Sequence, residues 1–151
     1  IIAGSWSGAV TFYPLIYFSI KTQSHLEFTT ELFMHFILNL IFISALCIMF
    51  DIKDYAMDYN QKLKTFVVKF GLKKTVSQII LPIILSGILI SLSVSIFYGK
   101  NIYIALFSSF PYLFLIPIAN GLLIQRSIFY YLILIDGMIV IKAISGIIIH
   151  S

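Results

Sequence analysis

The chain has 151 residues, 60% of them hydrophobic and 11% charged, and its mean hydropathy is +1.04. Soluble domains carry roughly 25% charged residues, so this composition excludes an ordinary water-soluble fold and points to a protein of the bilayer. The net charge of +4 does not argue for nucleic acid, because the basic residues bunch in one loop between apolar runs, the usual positive-inside pattern of membrane proteins.

A helix needs about 20 apolar residues to cross a bilayer, and five runs are long enough. The first, Ile2–Ile20, is interrupted by Gly4, Gly8 and Pro14, all tolerated in membrane helices. A polar stretch with Lys21, His25, Glu27 and Glu31 leads into Leu32–Phe50. Its single cysteine, Cys47, excludes an intrachain disulfide and a thiolate metal site. After a polar loop come Val76–Tyr98 and a Gly99-Lys100-Asn101 turn. Next is Ile102–Ile124, where Pro111 and Pro117 are expected to kink the helix. Gln125-Arg126-Ser127 then opens the last run, Ile128–Ile149. The expected fold is all-α, a multi-pass transmembrane bundle of about five helices. Because it starts Ile1-Ile2-Ala3, without an initiator Met or basic n-region, the chain reads as part of something longer.

Lys and Arg set orientation. Lys53, Lys62, Lys64, Lys69, Lys73, Lys74 and Arg126 fall on one side, Lys21 and Lys100 on the other. The 51–75 loop is therefore expected in the cytoplasm. Within the runs, Asp136 and Lys142 are membrane-embedded charges, which are costly and mark function by default. Six residues turn a helix by about 240°, so the two do not pair. Lys142 is expected to snorkel outward. Asp136 is expected to face the bundle interior, either binding substrate in a cavity wall or making an interhelical hydrogen bond. Asn39 and Asn120 are expected to be interhelical contacts, and His35 to lie at the outer boundary.

The loop opens with Asp51-Ile-Lys-Asp54-Tyr-Ala-Met-Asp58. On a continuous helix these three carboxylates share an arc of about 60°, and their mutual repulsion calls for a cation. Oxygen-only ligands favour Mg²⁺, which binds through one or two carboxylates plus substrate phosphates. Lys62, Lys64 and Lys69 follow, ammonium groups suited to phosphate oxygens. The charge pattern alone also fits a plain solvated loop, acidic at one end and basic at the other.

The stretch from Asp51 through Leu63-Lys64-Thr65-Phe66-Val67-Val68-Lys69-Phe70-Gly71 resembles the second aspartate-rich motif of the UbiA superfamily of intramembrane prenyltransferases. There a D-x-x-D-x-x-x-D element precedes a Gly-x-x-Thr-Leu-Pro-Val-x-x-Gly segment. Lys62 stands where the family has glycine and Val67 where it has proline, so the turn after Asp58 is expected to differ. The resemblance implies a nine-helix fold in which these residues are helices five to nine, the C-terminal portion of one domain. The N-terminal half, with the first aspartate motif, would be missing, and the 151 residues alone are expected to be inactive.

By the same resemblance the protein is an enzyme of a bacterial inner membrane and of quinone-type biosynthesis. It would transfer an isoprenyl group from an isoprenyl diphosphate to a small, aromatic acceptor. Asp54 and Asp58 would be catalytic, Asp51, Asp54 and Asp58 would hold Mg²⁺, and Lys64 would contact diphosphate. Two other classes stay open: a transporter or channel using Asp136 and Lys142, and a family member without catalysis.

Overall fold

The computed structural model describes residues 2–22, 29–63, 65–124 and 128–150. These are mostly helical, with no strand among them. In chain order the helices are α1 (Ile2–Thr22), α2 (Thr30–Lys53), α3 (Tyr55–Asn60), α4 (Phe66–Phe70), α5 (Leu72–Thr75), α6 (Leu81–Phe97), α7 (Ile102–Gly121), α8 (Ile128–Tyr131) and α9 (Gly137–His150). Two π-helical turns, Val76–Ile80 and Leu132–Asp136, join α5 to α6 and α8 to α9. Local chemistry fixes the ends. The Thr29 side chain caps α2 by accepting from the Leu32 N–H, and Asn101 caps α7 by accepting from Tyr103.

Four helices are long and apolar enough to cross a membrane: Thr30–Lys53, Leu72–Phe97, Ile102–Gly121 and Phe129–Ile147. The expected fifth, α1, is long enough, but Ser5, Trp6, Ser7, Thr11, Tyr13 and Tyr17 dilute its apolar content and it falls outside this set. The chain thus has the build of an integral membrane protein. Helix α7 runs unbroken through both of its prolines.

The four spans form the bundle, α6 lying between α2 and α7, α7 packing on α9, and the start of the last span returning to α2. Helix α1 lies outside, on α2, where the Asn39 side-chain amide donates to Thr11 Oγ1 at 2.9 Å. That is the interhelical contact expected of Asn39. Asn120, by contrast, is exposed. Phe42, Met49, Ile80, Ile84, Tyr112, Leu115, Ile135 and Met138 fill the centre. The α6–α7 pair is tight: Ser91 and Ser108 hydroxyls meet at 2.8 Å, and a Cβ on Gly87 would run into the Tyr112 ring. Small residues that let helix backbones approach are the usual means of packing where solvent contributes no hydrophobic drive. At the end opposite the 51–75 loop, the Lys100 ammonium donates to Glu31 at 2.7 Å, with His35 3.7 Å from the same carboxylate. His35 lies in the second turn of α2, near this end of the span.

Candidate functional site

The aspartates stand where α2 leaves the bundle. Asp51 is exposed in its last turn. Asp54 follows Lys53, which ends α2; with φ −93° and ψ 0° it occupies a turn, and its carboxylate lies 3.7 Å from the Lys53 ammonium. Asp58 is on α3, with 8% of its surface exposed. The expected arc assumed one continuous helix, and the break at Asp54 removes that condition. Among the described residues no three Asp, Glu, His or Cys side chains come together to hold a metal ion. The three aspartates are thus not gathered into one three-carboxylate cluster, whereas Mg²⁺ ordinarily takes one or two carboxylates plus substrate phosphates.

The turn after Asp58 is better defined. The Leu63 N–H donates to the Asp58 carbonyl at 2.9 Å and the Lys62 N–H to the Tyr59 carbonyl at 3.2 Å. This six-to-one and five-to-two pair is a Schellman helix end, which puts the residue after the cap in a left-handed conformation. That residue is Lys62, at φ +55°, the only non-glycine with positive φ among the described residues. The α6 terminus has the same pattern, with Lys100 donating to Ser95 and Gly99 to Ile96 at 2.9 Å each, and there the left-handed position holds Gly99 at φ +63°. Position 62 thus has the backbone that glycine favours, against the expectation that replacing glycine would alter the turn.

Beyond the turn, Thr65 precedes α4 in an extended conformation and makes no side-chain cap bond. Its hydroxyl is buried and, among the described residues, has no hydrogen-bond partner; the Thr75 hydroxyl is in the same state. Val67 is fully buried in the first turn of α4, a place where proline is also tolerated. An open groove of about 780 Å³ runs along this face, lined by Tyr59, Lys62, Leu63, Val68 and Lys69. Lys69 Nζ lies 5.6 Å from the centre of the Phe70 ring, and the Tyr55 and Tyr59 rings are 6.0 Å apart. Lys64 lies outside the described residues. The groove therefore offers two ammonium groups and the ring of Tyr59, with the buried Thr65 hydroxyl between its lining residues in sequence. Such a set suits a phosphate-bearing amphiphile better than a neutral polar ligand.

Compared with protein-family models, with curated proteins and with solved structures, the chain matches none.

The embedded charges are arranged opposite to expectation. Asp136 is exposed on the outer side of the last span rather than turned into the bundle. Lys142 points inward, its ammonium 4.6 Å from the centres of both the Phe42 and Tyr112 rings and 3.2 Å from the Tyr112 hydroxyl. Tyr112 in turn donates to the Leu38 carbonyl at 2.7 Å, and the two rings meet edge to face. Phe42 and Tyr112 were not singled out by sequence reasoning. The available signal was that Asp136 and Lys142 lie far apart around one helix, so that only one of them can face inward.

Proposed function

We propose that the chain is part of a UbiA-type intramembrane prenyltransferase, transferring an isoprenyl group from an isoprenyl diphosphate to a small acceptor. Its helices would be the fifth to ninth of that fold, with the loop face toward the cytoplasm of a bacterial inner membrane. The N-terminal half of the domain would lie outside these 151 residues. The observation that carries the reading is Lys62: the residue aligned with the family's glycine holds the left-handed backbone for which glycine is the natural choice. Thr65 before a helical turn, Val67 within it and Gly71 at φ +79° after it agree with the rest of the motif.

The chemistry follows from charge. The C–O bond of an allylic diphosphate ionises only when the departing negative charge is neutralised. Lys62 and Lys69, with Lys64 between them in sequence, supply that charge. The electron pair leaves with diphosphate, and the allylic cation is stabilised by a ring face such as that of Tyr59 in the groove wall. An electron-rich acceptor then forms the new bond and loses a proton. Asp54 and Asp58 take part as the resemblance implies. That no three-carboxylate cluster forms among the described residues favours one alternative, a member that binds the diphosphate without turning it over.

The test is binding of a radiolabelled isoprenyl diphosphate to membranes containing the chain, with and without Mg²⁺. Saturable binding, displaced by inorganic diphosphate and weakened roughly tenfold by Lys62→Ala or Lys69→Ala, is expected for the loss of one charge-assisted hydrogen bond. Equal binding of the corresponding isoprenyl alcohol would overturn the reading. In the complete protein Asp54→Ala and Asp58→Ala should each abolish most turnover and Asp51→Ala less; binding without product from any acceptor would select the alternative.

A further inference from the structure

The last span shows two faces. Tyr131, Ile135, Met138 and Ser145 are buried and Lys142 reaches the core rings, whereas Leu132, Ile133, Ile139, Val140, Ile144 and Ile147 are exposed. The exposed residues recur at helical spacing and make one stripe along the helix, with Asp136 inside it. Asp136 lies seven residues into the span Phe129–Ile147, roughly 10 Å along the axis, well inside a hydrocarbon layer about 30 Å thick. Among the described residues it is the only exposed charged side chain so far from the ends of a span, and it has no ion pair or hydrogen bond with any of them.

A carboxylate facing lipid tails at this depth is costly, and such groups normally face protein or water. The large exposed side chains of α6, Leu85, Leu89, Ile96 and Phe97, are apolar and suit lipid, and the exposed Ser93 beside them is uncharged. The α9 stripe does not. We propose that it is a docking surface for a transmembrane helix that presents an arginine or lysine to Asp136. Three features specify this occupant. The stripe follows one helix, so its complement is a helix of similar length rather than a compact ligand. Ala143 lies within it, and a Cβ on Gly137 or Gly146 at its flanks would meet nothing within 4 Å, so a partner backbone can come close. Finally, the stripe carries a negative charge and no cation, so a symmetric second copy would set Asp136 beside a like charge. The inference does not rest on the prenyl-transfer reading; under that reading the occupant is a helix of the N-terminal half.

The test places a photo-crosslinking amino acid at Val140 or Ile144 of the full chain in its native membrane, with Leu89 as the lipid-facing control. The adducts are mapped by mass spectrometry. The expected adduct joins a helix with Arg or Lys within one turn of the crosslinked residue. Its yield falls roughly tenfold in Asp136→Lys, less in Asp136→Asn, and recovers when the partner's basic residue is changed to Glu alongside Asp136→Lys. That recovery distinguishes a lost ion pair from a misfolded chain. Lipid adducts at the level of the Leu89 control, adducts only to a second copy, or a yield insensitive to Asp136→Lys would each overturn the proposal.

Discussion

Replacing Lys62 by glycine should make the protein more stable, although it removes an ammonium from the groove. A non-glycine residue in the left-handed region costs roughly 1–2 kcal/mol. Lys62 is exposed, so its side chain returns little of this through packing. Glycine removes the cost but makes the unfolded chain more flexible, giving back about 0.4–1 kcal/mol. The net gain is about 0.5–1 kcal/mol. For a chain of this size a kcal/mol moves the midpoint by about 2–4 °C, so Lys62→Gly should melt roughly 1–4 °C higher in detergent micelles. Lys62→Ala is the control, because it loses the same charge yet keeps the left-handed backbone, and it should melt near the parent. The mirror experiment is Gly99→Ala, which should lower the midpoint through the same term at the end of α6. Both Lys62 variants should lose diphosphate binding alike, which separates the backbone effect from the charge effect. If Lys62→Gly melts no higher than Lys62→Ala, the helix end after Asp58 is not held left-handed, and the main support for the functional reading goes with it.

Gly87→Ala should destabilise by about 1–3 kcal/mol, the cost of overpacking, because the added methyl meets the Tyr112 ring; thermal unfolding in micelles reads it. A double-mutant cycle between Phe42→Leu and Lys142→Met should return a coupling energy of at least about 1 kcal/mol, since a desolvated cation–ring contact is worth up to about 2 kcal/mol; independent effects would mean that the ammonium does not rest on the ring. Cysteines at Asn60 and Asn101 should label from opposite sides of the membrane, because the single span Leu72–Phe97 separates them, and labelling of both from one side would refute the bundle topology.

The spans were legible because a bilayer imposes length and apolarity together. The run read as Leu32–Phe50 is the core of Thr30–Lys53, and Ile102 begins its helix as read. The first run passed as a span because its tally of apolar residues counts Trp and Tyr, which are only weakly hydrophobic. At the loop, residue spacing placed the aspartates on one face by assuming an unbroken helix, and spacing cannot reveal a turn at Asp54. The inversion of Asp136 and Lys142 has a similar origin. Periodicity fixes the angle between two side chains on a helix but not which of them faces in. That choice was made by Phe42 and Tyr112, on two other helices, whose rings accept a cation and would repel a carboxylate.

A π-helical turn holds one residue more than the α-helical turn it replaces. The turn at Leu132–Asp136 is therefore a slack link in the last span. Removing one residue inside it lets the helix close to α geometry while Tyr131 and Met138 keep their facings. Removing one residue between Met138 and Lys142 instead swings the lysine by about 100°, off its two rings. The turn at Val76–Ile80 gives the span leading into α6 the same latitude. Single-residue deletions should accordingly be tolerated within 132–136 and 76–80 and rejected a turn further on, as a deletion scan scored by the amount of folded protein in the membrane would show.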